Sequence, residues 1–420
     1  MMIRSLRILR RWGVTLTLIA IAGTLLLSAP GRARPSIAHA AFAQQCPEPF
    51  SSTRDPTNPL DLSTAPGSDP LRGARFFVPG PAEGNAARVI ATLLGKDPAA
   101  ISPSESWAEF HRELTTGPLH TKLADSGGLA RQVALLSKVA AQPQAQRLSS
   151  GSWGGTPDGI FDQTQKTFCD ALRADPGSIP IFTTYFLHET LGGDPTPAQV
   201  RAYMPLFEAR VNAMAAATGR RPAVFLLEID GIGSTRGIVA TGALPEWEAA
   251  LRYELDAMQA LPHTVVYIEG GYSDSNSVAF TAKVLDAIGI HRIRGFYTND
   301  THDNWTINED QWATAVAKRA GGTHFIVNTA SNGQGPKLNP DPATQGAEDL
   351  CNPPGRGLGI RDTTHTGWAD ADAYLWEHTP GNSSGCGGGP SGGTFWPQYA
   401  EGLAARANSR LGPNDPNRPY

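Results

Sequence analysis

The chain has 420 residues, 40% hydrophobic and 18% charged, with 35 Lys+Arg against 39 Asp+Glu and a formal charge of −4. That balance excludes a strongly basic nucleic-acid footprint, and the hydrophobic share excludes a disordered, self-repelling chain. Four cysteines are too few for a disulfide-built scaffold, though enough for two bridges.

Residues 1–43 are predicted to be a secretory signal peptide. Arg4, Arg7, Arg10 and Arg11 open it, and an apolar stretch runs from Val14 to Leu27. Ala38-His39-Ala40 and Ala41-Phe42-Ala43 then offer small-x-small cleavage sites, after Ala40 or Ala43. The stretch is short for a span and contains Thr and Gly, so no stable membrane anchor is expected. The mature protein is therefore expected outside the cell, where disulfides form and where nicotinamide and ATP are scarce.

Residues 44–72 are rich in Pro, Ser, Asp and Asn and are expected to form an irregular lead-in to one domain at 73–410, with 411–420 as a tail. Strands are predicted at Arg75–Val78, Ile179–Phe186, Ala223–Ile229, Thr264–Glu269, Ile293–Thr298, His324–Thr329 and Ala373–Trp376. Amphipathic helical stretches fall near 86–95, 128–140, 197–218, 245–260, 277–288, 308–319 and 394–408. Strands alternating with helices at this spacing imply parallel β/α units. About seven such units predict an α/β fold, a closed or nearly closed (β/α) barrel, with an open doubly wound sheet as the alternative.

Polar residues collect at the strand ends: Glu228 and Asp230, Glu269, Asn299 and Asp300, Asn328, and Glu377 with His378. In a β/α barrel these ends share one mouth. Converging carboxylates without a nucleophile–His pair suit glycoside hydrolysis, in which one acid protonates the leaving oxygen and a carboxylate assists water. Acids at strand ends also cap helices or pair with arginine, the plainer reading of any single one. Competing motifs fail on context. Gly381-Asn382-Ser383-Ser384-Gly385 has the G-x-S-x-G pattern but no helix to form a nucleophile elbow. Gly231-Ile232-Gly233 with Gly237 is a weak dinucleotide pattern, because it does not follow the first strand. His188-Glu189 lacks the second histidine of a zincin. No metal and no cofactor are expected.

The chain resembles glycoside hydrolase family 6, the cellobiohydrolases and endoglucanases acting on β-1,4-glucan, over roughly residues 69–408. The resemblance opens at Asp69-Pro70-Leu71-Arg72-Gly73-Ala74-Arg75-Phe76-Phe77-Val78. It is most specific at Cys351-Asn352-Pro353-Pro354-Gly355-Arg356-Gly357-Leu358-Gly359, through Asp372-Ala373-Tyr374-Leu375-Trp376, to Phe395-Trp396-Pro397-Gln398-Tyr399-Ala400. It implies a distorted barrel, an inverting mechanism and a glycan in a tunnel or cleft. By position, Asp230 inherits the general acid and Glu269 stands at the aspartate of the family's Tyr-Leu-Asp-Ala-Gly-His run. Tyr185 matches the tyrosine pressing on the distorted sugar, Trp153 the ring-stacking tryptophan, and Trp376 keeps its place on the last strand. Cys351 and Cys386 match the C-terminal bridge; Cys46 and Cys169 remain, open between a bridge and a modified amino-terminal cysteine.

Departures are concentrated in the loops that carry chemistry. Leu191 stands where the family has the aspartate that raises the acid's pKa. His378, Asn382 and Ser384 replace the lysine, glutamate and aspartate of the loop bearing the proposed base, and Asn328 and Ser331 stand for an Asp and an Arg. Three readings follow. Asp230 hydrolyses a β-glucan, with Glu269 or Glu189 assisting water; the barrel cleaves a differently shaped glycan; or it binds sugar without cutting it. Tyr185, Trp153, Asn299, Asn328, Trp376, His378, Asn382 and Ser384 are the expected substrate contacts. The partner is a polysaccharide or oligosaccharide, with no nucleic acid, and a monomer is expected.

Overall fold

The computed structural model describes Leu60 and residues 68–124, 126–336 and 351–407. The expected signal peptide, Cys46 and the 411–420 tail lie outside them. Among the described residues, four helices precede the sheet: α1 (Asn85–Leu93), α2 (Trp107–Thr115), α3 (Pro118–Ala124) and α4 (Gly128–Ala140). Then β1 (Gln146–Ser149) leads through α5 (Pro157–Ala174) to β2 (Ile181–Tyr185), and α6 (Leu187–Leu191) and α7 (Pro197–Thr218) lead to β3 (Ala223–Leu227). Helices α8 (Thr235–Ala240) and α9 (Leu244–Gln259) precede β4 (Thr264–Glu269), α10 (Val278–Ile288) precedes β5 (Gly295–Thr298), and α11 (Thr306–Arg319) precedes β6 (His324–Asn328). The last strand is β7 (Ala371–Leu375), and α12 (Pro397–Ala405) closes the described chain.

Among the described residues, the seven strands of the sheet pair in parallel, in sequential order from β1 to β7. A backbone hydrogen bond from Ala145 N–H to Trp376 C=O (3.1 Å) draws the first edge toward the last. The sheet is thus a distorted, incompletely closed α/β barrel, as the β/α alternation predicts.

Strand parity sorts the core into two layers. Val224, Leu226, Val265, Tyr267, Tyr297, Ile326, Ala373 and Leu375 fill the barrel interior. Their sequence neighbours Phe225, Leu227, Val266, Ile268, Phe296, Phe325 and Val327 face the helices instead. One register shift interrupts this parity: Phe325 pairs with Ala371 but Ile326 with Ala373, leaving Asp372 as the extra residue of a bulge.

Two expectations need correction. Arg75–Val78 forms no ladder; it makes one parallel bridge, Phe76 to Ile179, and the first true strand is β1, whose polar Gln-Arg-Leu-Ser run carries no β-branched signal. Helix α5 was not expected, although Thr156 caps it by accepting from Gly159 N–H and Pro157 sits in its first turn. Within the lead-in, Leu60 and Leu71 lie buried with the barrel interior. Cys351 and Cys386 are bonded, with Cα atoms 5.9 Å apart, and Cys169 is disulfide-bonded as well.

Candidate active site

Asp230 lies just beyond β3, in a turn with two left-handed non-glycine residues, Glu228 (φ 56°) and Asp230 itself (φ 58°). Such backbone is costly and persists only where surrounding contacts over-determine it. Here three buried carboxyls do so. Glu228 accepts from the N–H groups of Phe186 (3.2 Å) and Leu187 (2.8 Å), at the start of α6. Glu269 accepts from Ile232 N–H (2.5 Å) and Gly233 N–H (2.8 Å), and from Gly271 N–H. Asp300 accepts from the N–H of Asp230 (2.9 Å) and of Thr301 (2.7 Å).

The glycines that loosely matched a dinucleotide loop therefore serve an internal carboxyl: the amides of Ile232 and Gly233 donate to Glu269 rather than to a phosphate. A Cβ on Gly233 would meet the Tyr272 ring at 2.4 Å, so only glycine lets that ring approach. Burial pushes Glu269 well above the usual carboxylate range, with Asp300 adding to it against the amide bonds. Burial likewise pushes Glu228 up to about 7. In Asp300, burial first, then the neighbouring Asp230 and Glu377, pushes the pKa up to about 8.

The Asp230 side chain is 15% exposed, and its carboxylate is held from three sides. Tyr272 OH donates to Oδ1 at 2.5 Å and Thr301 OH donates to the same oxygen at 3.1 Å. His188 Nδ1 stands 3.5 Å from Oδ2 and 3.0 Å from the Tyr185 hydroxyl. The Tyr272 ring is stacked on His302, centroids 3.8 Å apart and planes 5° from parallel. His302 Nδ1 is 2.9 Å from Asp274 Oδ1. Burial lowers the His302 pKa, but the Asp274 hydrogen bond and charge outweigh it and the net shift is upward. Asn304 donates onward to Asp274 and to Glu309, both at 2.8 Å. Asp230 thus rests on a buried polar network reaching α11.

Tyr185 keeps its place at the mouth, its ring facing the Arg147 guanidinium at 5.7 Å. Burial, then Asp230, raises the phenol's pKa. Glu189 is exposed, but its Oε2 accepts from both the N–H (2.5 Å) and the hydroxyl of Ser150. Other expected substrate contacts land elsewhere. Trp376 is wholly buried and donates its indole N–H to Ile360 C=O (2.9 Å), so it offers no face to a sugar. Asn299 and Asn328 are buried and tie strand ends together, each amide donating to the other's backbone carbonyl (3.0 and 2.8 Å).

His378 remains partly exposed, 3.3 Å from Glu377, and Asn382 accepts from Asn85 at 3.4 Å. Ser384 is exposed, with its N–H donating to Asn352 (2.8 Å). Trp153 lies in the 3-10 turn Ser152–Gly155 after β1. The G-x-S-x-G serine, Ser383, is buried and donates to Pro390 C=O (2.7 Å), a loop bond rather than a nucleophile's setting. Among the described residues no three His, Cys, Asp or Glu side chains gather as a metal site, and no helix is long and apolar enough to cross a membrane.

Tyr272, His302 and Asp274 form a support that sequence reasoning missed, since a stacked pair from two different loops leaves no motif. Asp300 was visible as a strand-end acid, but its bond to the Asp230 backbone depends on the β4–β5 pairing. Glu269 has a holding role by this geometry. Glu269→Gln is expected to lower the melting temperature as well as activity, because the new NH2 meets an N–H donor in place of an acceptor. Each amide left unpaired costs about 1–3 kcal/mol. Thermal unfolding beside kcat checks it: lost activity at unchanged stability would make Glu269 a catalytic group.

A profile of Glycosyl hydrolases family 6 matches residues 131–407. Endoglucanase 1 of Streptomyces sp. (strain KSM-9) is 30% identical over 295 residues, which is 68% of this chain and 76% of that protein. Endoglucanase A of Cellulomonas fimi is 26% identical over 275 residues, 65% of this chain and 56% of that protein. The solved structure of the endoglucanase Cel6 from Mycobacterium tuberculosis, in complex with methyl-cellobiosyl-4-deoxy-4-thio-β-D-cellobioside, superposes with a TM-score of 0.63. It is 25% identical, over 81% of this chain and 100% of that one. Sequence and barrel agree: the chain belongs to glycosyl hydrolases family 6 and is a glycosidase of the cellulase type.

Proposed function

We propose that the chain is an exported glycosidase that cleaves β-1,4-glucan or a related polysaccharide with inversion, using Asp230 as its general acid. The setting of Asp230 carries this reading. A partly exposed carboxyl at the barrel mouth stands beside a wholly buried one, Asp300, bonded to its own backbone N–H. Protonating a glycosidic oxygen requires an acid that keeps its proton near neutrality, and burial with a carboxyl neighbour is one way to arrange that. In the step proposed, the Asp230 proton passes to the leaving oxygen as the C1–O bond breaks, and water adds to the opposite face of C1 and gives up its surplus proton to solvent. The cello-oligosaccharide analogue held by the Mycobacterium tuberculosis enzyme supports a β-1,4-linked substrate. Export is supported by the sequence of residues 1–43 and by the Cys351–Cys386 bridge.

The test is product release by the chain lacking residues 1–43, against β-1,4, β-1,3/1,4 and β-1,2 glucans, xylan, mannan and chitosan. Proton NMR of fresh product reads the anomer. The expected result is oligosaccharide from a β-1,4-glucan, released first as the α-anomer; β-anomer first would reject inversion. One observation favours a second reading, a barrel that holds glycan without cleaving it. Glu269 and Glu189 both have oxygens taken by backbone N–H groups, while Asn382 and Ser384 are not carboxylates. Saturable binding to one glycan with no product from any would support that reading.

A further inference from the structure

Helix α6 turns its last residue, Leu191, against the hydrophobic core, so no carboxylate reaches Asp230 from that position. The opposite side of the mouth supplies one. Asp300 follows β5, is 2% exposed, and accepts from Asp230 N–H at 2.9 Å, which ties its carboxyl to the acid's own backbone. Tyr272 OH, 2.5 Å from Asp230 Oδ1, lies between the two residues and also interacts with Asp300. Both Asp300 oxygens accept backbone N–H bonds, so it has no free edge for substrate.

We propose that Asp300 is the positioning residue that keeps a proton at the acid in this chain, a carboxyl neighbour relocated from the loop after β2 to the end of β5. The inference rests on the reading of Asp230 as general acid. Asp300 is buried and tied to the Asp230 backbone, and a second negative charge there is disfavoured in a water-poor site, so one proton is retained between the two residues. The rise of Asp300 to about 8, by burial and then by Asp230 and Glu377, agrees with that geometry.

The other titratable groups at this mouth are Tyr185, His188 and Glu189 at the β2 end, Glu228 beneath the Asp230 turn, Glu269 at the end of β4 and Tyr272 after it. His302 follows β5, Glu377 and His378 follow β7, and Arg147 comes from β1. Among them Arg147 is the fixed cation, and it stands over Tyr185 rather than between the two aspartates. After each turnover the Asp230 carboxylate recovers its proton from solvent, so water is the only co-reactant.

Asp300→Asn keeps one acceptor oxygen for Asp230 N–H. With a glucan, its activity at pH 7.5 is expected to fall about tenfold further than at pH 5, one pKa unit corresponding to tenfold, with KM little changed. An aryl cellobioside whose leaving group needs no proton should be cleaved by this variant as by the parent at both pH values. An equal loss at every pH and on both substrates would mean a merely structural residue and overturn the proposal. Carboxyl carbon NMR supplies a readout that needs no activity: Asp300 should titrate near 8 in the parent and lower in Asp230→Asn. An unchanged titration would show the two carboxyls uncoupled and also overturn it. If the parent cleaves no glucan, the hydrolase reading fails on its own while the titration still decides the pairing.

Discussion

Asp230→Asn is expected to lower kcat on a β-1,4-glucan by about 10²–10⁴-fold, the usual share of positioned acid catalysis, with the melting temperature nearly unchanged. The fold should tolerate the change because Asn shares with Asp a tolerance of left-handed backbone, here φ 58°. Its amide oxygen still accepts from Tyr272 and Thr301, and its NH2 can donate to His188 Nδ1 in the appropriate tautomer. What is lost is the proton. Substrate affinity should therefore persist while turnover falls, and a substrate with an activated leaving group should recover much of the rate. Retention of more than a tenth of parental kcat would remove Asp230 from the acid's role.

Asp372→Asn is expected to cost about 3–5 kcal/mol of stability, the range for breaking a buried ion pair by removing one partner, with a visible drop in melting temperature. Asp372 is 1% exposed in its side chain and receives two Arg294 hydrogen bonds, both at 2.7 Å. Tyr267 OH donates at 2.6 Å, and His324 Nδ1 lies at 3.0 Å. The β6–β7 bulge turns this residue out of the alternation and beneath the interior tyrosine.

Burial alone would raise the Asp372 pKa, but Arg294 and His324 outweigh it and the folded value is lowered. A depressed folded pKa gives stability that is whole above the unfolded value and lost as pH falls through the folded one. Acid unfolding below about pH 4 should therefore be shallower in Asp372→Asn than in the parent, 3.9 being the ordinary Asp value. A parallel pair of acid-unfolding curves would contradict the assignment. Asp300 and Glu228, raised to about 8 and about 7, act in the opposite sense. They favour the folded state while protonated and withdraw that contribution as pH rises toward those values.

The sequence by itself determined the α/β alternation, because short apolar runs alternate along the chain with amphipathic helical stretches. Thr264–Glu269 was legible to the residue, being a β-branched run bounded by a proline-containing turn and glycines. It also put Asp230 at the end of a strand, and the Cys351–Cys386 bridge was legible through the motif around it. Tertiary structure alone decided what the other polar residues do. Trp376 and Asn328 keep strand-end positions, yet the packing of α4, α12 and neighbouring strands encloses them. Glu269 carries an acid at a family position, but the amides of Ile232, Gly233 and Gly271 converge on it. Asp300 has no motif at all. Its place beside Asp230 comes from β5 and β3 flanking β4 in the sheet, a juxtaposition across 70 residues. Local periodicity is written along the chain and can be read there. Which buried carboxyl meets which backbone N–H depends on register and burial, and those exist only once the barrel has formed.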